Sequence, residues 1–363
     1  MRIVLVIGSA NAGGAEKQLV RLAAELTTRG HDIRVVFLSV GGPLTQVLDR
    51  AGVRWMVARV PLRHITAHGR NVLGIGRFAR LLRTFDPDVI YTWLPGSVVP
   101  TTLAKDLGRC PAPVVVALRG QFESDRRNRR VTTLLRRALR RATLVSVNAP
   151  DLIPVAGEWG IDAERICFIP NGVDPSPGRA EVSRQPPTAV VVANFRWYKG
   201  HDVLIQALAS ADVCVVLRLL GEGEGRPAIA NLAKELGLGD RVVFADYSTD
   251  VQHELLQAQF AIHPSLTEGM SNAILEQISA GLPVIATDVG ATSLMIAPGV
   301  NGQLVPPGDV DALARAIREF ATDAPLRERY AAASLIKAED FAWATCVDRV
   351  EEMLARASAG RPG

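Results

Sequence analysis

The sequence predicts an α/β protein made of two doubly wound parallel-sheet domains in tandem, and three observations carry that prediction. The chain has 363 residues, against roughly 150 for an average domain. Short runs of β-branched residues alternate with helical patterns in two successive series, which is the signature of βαβ units. Between the series lies a stretch of turn-forming residues, Asn171-Gly172-Val173-Asp174-Pro175-Ser176-Pro177-Gly178, with Pro186-Pro187 beyond it; such composition suits a linker.

The first series of strands is Ile3–Ile7, Ile33–Leu38, Val89–Thr92, Val114–Leu118 and Leu144–Val147. Gly13-Gly14 opens a helical pattern in which Leu19, Leu22, Ala23 and Leu26 share one face. The second series is Ala189–Ala193, Val213–Leu220, Arg241–Ala245, Phe260–His263, Pro283–Thr287 and Gly302–Val305. In the last helical stretch Trp343, Val347, Val350 and Leu354 recur at spacings of four, three and four, an apolar face that must pack on something already built. We therefore expect an N-terminal domain over 1–172, a linker over 173–187, a C-terminal domain over 188–339, and a final helix within 340–363 that packs back on the first domain. The chain contains no repeat of fixed period, which argues against solenoids and propellers. Two such domains bring the carboxyl ends of two sheets to a cleft, where ligands of these folds bind. The fold nominates a place but no chemistry.

Composition excludes several classes. Hydrophobic residues at 48% and charged residues at 21% supply sizeable cores and rule out a disordered chain. Forty-one basic against 37 acidic residues leave +4, too little for a general nucleic-acid binder. Cys110, Cys167, Cys214 and Cys346 form no Cys-x-x-Cys pair, which speaks against a zinc ribbon or dithiol site and fits reduced thiols in a cytoplasmic protein. Met1–Ser9 reads as a buried strand rather than a signal peptide, and no run approaches the roughly 18 apolar residues of a membrane span. Any membrane contact is expected to be peripheral.

The most informative segment is Pro264-Ser265-Leu266-Thr267-Glu268-Gly269-Met270-Ser271-Asn272-Ala273-Ile274-Leu275-Glu276, leading from a strand through a loop into a helix. A helix N-terminus near Gly269–Asn272 presents backbone donors and partial positive charge, suited to a diphosphate. At the helical rise, Glu268 and Glu276 lie at most roughly 12 Å apart, so one carboxylate can grip each end of a nucleotide sugar through vicinal hydroxyls. The alternative is a capped helix with Glu276 solvated.

This segment, followed by Gly281-Leu282-Pro283-Val284-Ile285-Ala286-Thr287-Asp288-Val289-Gly290, resembles the signature of retaining glycosyltransferases of family GT4 (glycosyl transferases group 1), which have the GT-B fold. Gly13-Gly14-Ala15-Glu16, Gly30-His31-Asp32, Pro87-Asp88-Val89-Ile90, Ile169-Pro170-Asn171-Gly172-Val173-Asp174, Lys199-Gly200-His201-Asp202 and Val305-Pro306-Pro307-Gly308-Asp309 extend the resemblance, in order, over nearly the whole chain. It implies two Rossmann-like domains facing each other across a cleft, the first for the acceptor and the second for a nucleoside-diphosphate sugar, with the C-terminal helix crossing back. It implies further that Glu276 binds the donor ribose, that Glu268 lies near the anomeric centre, and that the backbone of Gly269, Met270, Ser271 and Asn272 holds phosphate. The loops at Gly13-Gly14 and at Gly221 would border the donor.

Departure of a nucleoside diphosphate calls for a cation against the growing phosphate charge; Lys199 and Arg196 are the candidates, one a point charge and the other a bidentate fork. The Arg frequent in the family five residues before the Lys is Asn194 here, with Arg196 as its candidate substitute, and the family's frequent Glu is Leu294. Where many relatives have His-Gly, this chain has Arg119-Gly120. Arginine cannot act as a neutral base, which leaves Arg119 to bind phosphate or an acidic acceptor.

Within Arg126–Arg141, Val131, Leu134, Leu135, Ala138, Leu139 and Ala142 form an apolar stripe flanked by Arg136, Arg137, Arg140 and Arg141. A basic amphipathic helix over 126–142 either rests on the anionic inner face of the plasma membrane or packs on its sheet with the arginines solvated. Asp86-Pro87-Asp88 reads as a turn rather than a metal site, and His64, His68, His253 and His263 show no ligand spacing, His263 reading as a core histidine. We expect no metal and no cofactor beyond the nucleotide-sugar co-substrate. The acceptor is a hydroxyl of a glycan, a lipid-linked glycan or a small metabolite, and polysaccharide or lipid-linked glycan assembly is the implied setting. The rival readings are a nucleotide-sugar epimerase on the same fold and a nucleotide-sugar binding protein without transfer.

Overall fold

The computed structural model describes residues 1–11, 13–60, 70–120, 129–245 and 250–360, with side chains omitted at 70–72 and 129–131. The chain forms two compact units, Met1–Asn171 with Ala344–Gly363, and Gly172–Trp343. Each is built on a parallel sheet, so the fold class is the predicted one.

The first unit contains β1 (Arg2–Ser9), α1 (Gly14–Thr28), β2 (Asp32–Val40), α2 (Thr45–Arg50), β3 (Arg54–Val57), α3 (Arg70–Phe85), β4 (Val89–Trp93), α4 (Pro95–Gly108), β5 (Val114–Leu118), α5 (Arg129–Arg140), β6 (Leu144–Val147), α6 (Leu152–Glu158) and β7 (Ile166–Phe168). The strand order is β3-β2-β1-β4-β5-β6-β7. The chain winds outward from β1 through β2 and β3, then restarts beside β1 with β4, so the switch point lies between β1 and β4. Strands β4, β5 and β6 are buried at every residue, which is why they read as continuous apolar runs. The edge strands β3 and β7 do not read so. Arg54 and Trp55 are exposed, and β7 has only three residues; an edge strand covered on one side carries no uninterrupted apolar signal.

Asp86-Pro87-Asp88 is the turn before β4. Asp88 Oδ2 accepts from the Arg2 backbone N–H at 2.7 Å, and the Arg2 guanidinium reaches Asp86 at 3.2 Å, tying the starts of two neighbouring strands. On and just past α5, four residues of the apolar stripe face inward: Leu135, Ala138, Leu139 and Ala142 are buried. Arg141 binds Asp106 of α4 through two bonds of 2.7 and 2.6 Å, and Arg136 donates to the Glu158 carbonyl. Leu135, Ala138, Leu139 and Ala142 belong to the core of the unit, whereas Leu134 of the same stripe is exposed. Residues 126–128 lie outside the described residues.

The second unit contains β8 (Thr188–Val192), α7 (His201–Ala211), β9 (Val216–Leu220), α8 (Arg226–Glu235), β10 (Val242–Ala245), α9 (Val251–Gln257), β11 (Phe260–His263), α10 (Asn272–Ser279), β12 (Val284–Thr287), α11 (Thr292–Met295), β13 (Gly302–Val305), α12 (Val310–Thr322) and α13 (Ala324–Glu339). Its strand order is β10-β9-β8-β11-β12-β13. Leu204 and Leu208 of α7 and Leu313 and Ile317 of α12 join Val191, Leu219 and Phe260 in one buried core. Asp250 caps α9 and Asp309 caps α12 by accepting backbone N–H bonds, satisfying donors that a helix start leaves open.

The last helix, α14 (Trp343–Ala359), belongs to the first unit from Ala344 onward. Its Val347, Val350, Leu354 and Ala357 are buried. On its polar side, Arg29 binds Asp348 at 2.6 Å and Glu351 at 3.0 Å, while the ring of His31 meets Glu351 at 2.8 Å. Packing, not charge, holds it: Leu354→Ala should cost about 2–5 kcal/mol in chemical denaturation, and Asp348→Ala less than about 1 kcal/mol.

Candidate functional site

The carboxyl ends of four adjacent strands in the second unit open into loops: 193–200 after β8, 221–225 after β9, 264–271 after β11 and 288–291 after β12. Ligands of open α/β sheets bind at this edge. Two glycines let the loops close on one another. Gly200 has φ +66°, and a Cβ there would collide with the Pro264 carbonyl oxygen; the contact is reinforced by the Leu266 N–H donating to the Tyr198 carbonyl at 2.8 Å. Gly290 has φ +58° and abuts the Glu268 and Gly269 carbonyl oxygens, with the Ala291 N–H donating to Gly269 at 2.8 Å. Left-handed backbone and close approach both demand glycine.

This packing brings Lys199 against Glu268. The ammonium donates to Glu268 Oε1, and the same oxygen receives His263 Nε2 at 2.9 Å and the Ser265 hydroxyl at 2.9 Å. An ionised carboxylate only accepts, so His263 carries its proton on Nε2. Thr287 steadies the turn by donating to the carbonyl of Ser265 at 2.5 Å. Burial alone would raise the Glu268 carboxyl; the hydrogen bond and charge of His263, with those of Lys199, outweigh it and bring the group down to about 2. Glu268 is thus a mostly buried carboxylate, its side chain 13% exposed, held ionised.

Beyond it, Ser271 caps α10, its hydroxyl accepting the Ile274 N–H. Gly269 and Met270 precede the cap and Asn272 is the first helical residue; Glu276 lies further along α10, half-buried. Asn194 is exposed and its side-chain oxygen accepts from the Glu222 N–H at 3.5 Å. Gly221 sits directly against the Ala193 carbonyl, so the glycine-rich loop after β9 is braced on the loop after β8. Arg196 is exposed and its guanidinium makes no ion pair with a described residue, next in sequence to the strongly exposed Trp197, whose ring meets Tyr198 edge-on. The structure brings Lys199 and Glu268 together and leaves Arg196 apart from that contact.

Gly13, Gly14 and Arg119 belong to the first unit. Gly13 precedes α1 in extended conformation, and burial raises the carboxyl of the adjacent Glu16. Arg119 follows β5 and lies over Trp93, with Nη1 donating to Asn171 Oδ1. Among the described residues, no group of three or more His, Cys, Asp and Glu side chains is placed to hold a metal ion, and no helix is long and apolar enough to cross a membrane.

Two histidines go beyond what the sequence reading assigned. His263 is a core residue, as its place in a strand suggested, but its ring also orients Glu268. His201, the first residue of α7, stacks on Phe195 at 4.6 Å, and its Nε2 is buried without a partner. The available signal was position: each is the polar residue where an apolar run meets a loop of the site.

Two family models match the chain in succession, Glycosyltransferase Family 4 over residues 12–177 and Glycosyl transferases group 1 over residues 177–335. The chain is 27% identical over 330 residues to the lipopolysaccharide core biosynthesis glycosyltransferase LpsE of Rhizobium meliloti, covering 88% of each protein. It is 30% identical over 374 residues to an exopolysaccharide phosphotransferase of Streptomyces coelicolor; that match takes in 94% of this chain but spans only 39% of the Streptomyces protein. Among solved structures, Anabaena HepE in complex with UDP and glucose superposes with a TM-score of 0.86 at 22% identity, over 98% of this chain and 100% of HepE.

Burial, then the charge of Lys199, pushes His201 down to about 4 from an ordinary 6.5. The unfolded chain therefore takes up this proton at higher pH than the folded one, and stability falls as pH drops across that window. The loss should be on the order of 3 kcal/mol, and His201→Phe, which keeps the stacking, should flatten the dependence in pH-resolved denaturation curves.

Proposed function

The chain belongs to glycosyltransferase family 4, and from that premise we propose that it is a retaining enzyme in which the second unit binds a nucleoside-diphosphate sugar and the first presents a hydroxyl acceptor. The observation that carries this reading is the Glu268–Lys199 contact at the strand ends, with a capped helix N-terminus beginning four residues on. In this reading the α10 N-terminus and Lys199 take the diphosphate, and Glu276 accepts the ribose hydroxyls. Glu268 Oε1 is engaged by three donors, which leaves Oε2 to accept a hydroxyl of the transferred sugar.

A carboxylate at about 2 does not donate a proton near neutral pH, so Glu268 binds and does not act as the acid. The acceptor oxygen attacks the anomeric carbon from the face that the phosphate leaves. The carbon–phosphate oxygen bond breaks, and the departing phosphate oxygen takes the acceptor's proton. Lys199 stabilises the charge gathering on that phosphate. The scheme calls on no metal ion.

LpsE is named for lipopolysaccharide core assembly, which supports a glycan or lipid-linked glycan acceptor here. The four free cysteines support a reducing, cytoplasmic compartment. Peripheral contact with anionic lipid is supported by Leu134, the exposed member of the α5 stripe, with Arg137 three residues on, and by Leu103 and Leu107, which stand exposed on one face of α4. The Arg141–Asp106 pair joins the two helices.

Among UDP, GDP and ADP, one should raise thermal stability by about 2.7 kcal/mol at 100 times its dissociation constant. Glu276→Ala should abolish the gain, and Lys199→Ala should remove most turnover from a folded protein. No response to any of the three overturns the donor assignment. Vesicles containing phosphatidylglycerol should cosediment the protein at low salt and release it at high salt, with Leu107→Asp weakening the binding; equal behaviour with neutral phosphatidylcholine vesicles overturns the membrane reading.

A further inference from the structure

Four neighbouring strands of the first unit end in a row of polar and aromatic side chains. Trp93 is the last residue of β4, Arg119 the first past β5, Asn148 the first past β6, and Asn171 lies three beyond β7. Since β4, β5, β6 and β7 are adjacent and parallel, these residues stand side by side at the carboxyl edge of the sheet. The guanidinium carbon of Arg119 lies 3.7 Å from the centroid of the Trp93 ring. Arg119 Nη1 donates to Asn171 Oδ1, which also accepts from Asn148 Nδ2 at 3.2 Å. Tyr91, buried next to them, shares its hydroxyl with Ser146 at 2.9 Å. Burial pushes that phenol up against the pull of the Arg119 charge, so it stays neutral.

Every described group that touches Arg119 is therefore uncharged: an aromatic face, an amide oxygen and a phenol. Arg2, Arg29, Arg141 and Arg218 each hold a carboxylate; no described carboxylate pairs with Arg119. A cation–π contact fixes the plane of the guanidinium, but it does not neutralise the charge. Moreover Arg119 Nε, Trp93 Nε1 and Asn148 Oδ1 are buried without partners, an accumulation that native structures avoid unless a further group completes the network. A guanidinium that is held in place, half-buried and without a carboxylate partner among the described residues is a preorganised fork for an oxyanion.

We propose that Arg119 is the docking point for an anionic group, a phosphate or carboxylate, carried by the acceptor. The proposal rests on the reading of the first unit as the acceptor side, and it assigns Arg119 a binding role because arginine does not give up its proton. The donor's diphosphate has its own cation in Lys199, leaving the Arg119 charge for a second anion. The acceptor class that follows is a phosphorylated sugar or polyol, or a uronic acid, in preference to a neutral glycan.

The test is calorimetric titration of the protein saturated with whichever of UDP, GDP or ADP it binds, so that the donor phosphate positions are filled. The probes are glucose 6-phosphate, glucuronate and glucose. The wild type should bind both anionic sugars more tightly than glucose. Arg119→Gln should weaken the anionic probes by about 10- to 100-fold, towards the glucose level. Arg119→Lys should fall between, since a point charge lacks the fork. Nucleotide affinity should be unchanged in both variants, which also reports that they fold. Equal affinity of the wild type for anionic and neutral sugars overturns the proposal, and so does a variant that loses nucleotide while keeping the sugar ratio, since Arg119 then serves the donor. If no nucleotide binds, the donor reading fails, but the same titrations without nucleotide still decide the role of Arg119.

Discussion

A carboxylate taken out of water must be paired or it loses its charge, and the second unit is organised around meeting that demand at Glu268. Its oxygen collects a lysine from the loop after β8, a histidine from the end of β11 and a hydroxyl from the loop that carries the glutamate itself. Those donors converge only because Gly200 lets one loop touch the Pro264 carbonyl and Gly290 lets another lie on Glu268 and Gly269. The short sequence signatures Lys199-Gly200 and Asp288-Val289-Gly290 are thus two halves of one packing requirement. Once satisfied, the arrangement presents a fixed negative oxygen and a neighbouring cation beside a helix N-terminus, the combination that a sugar attached to a diphosphate needs.

The units treat their site cations differently. Lys199 is balanced by the carboxylate it touches; in the proposed reaction a departing phosphate would meet an ion pair able to shift its charge rather than a bare cation. Arg119 is balanced by nothing charged among the described residues. Its ring contact and amide bond hold it in place and leave its electrostatic demand to a ligand. In the proposed scheme that contrast separates a group that assists bond breaking from one that selects what is bound.

The central strands were legible because burial on both faces writes unbroken apolar runs such as Val114–Leu118 into the sequence. Edge strands β3 and β7 were not, since half-exposed residues such as Arg54 and Trp55 obey no such rule. The segment from Ser265 to Glu276 could be read as a loop entering a helix because that pattern is local. The approach of Lys199 to Glu268, 69 residues later, rests on glycines whose partners the sequence does not name. His263 looked like a core residue and is one, yet its bond to Glu268 depends on a loop folding back over the strand end. The stripe on α5 was compatible with lipid or with a sheet; Leu135 and Leu139 are buried while Leu134 is exposed, a split that helical periodicity alone does not show. The stack of Arg119 on Trp93 joins different strands, so no local pattern announces it.

Glu268 is a mostly buried carboxylate held ionised far below the ordinary range, and its own titration measures this directly. In protein labelled with ¹³C at the glutamate side-chain carboxyl carbon, the Glu268 resonance, assigned by its loss in Glu268→Gln, should keep the chemical shift of an ionised group as pH falls below the ordinary 4.5 towards about 2. Lys199→Ala should move its midpoint upward. A resonance that titrates at or above 4.5 in the wild type, or that ignores the loss of Lys199, would show that these partners do not hold Glu268 ionised.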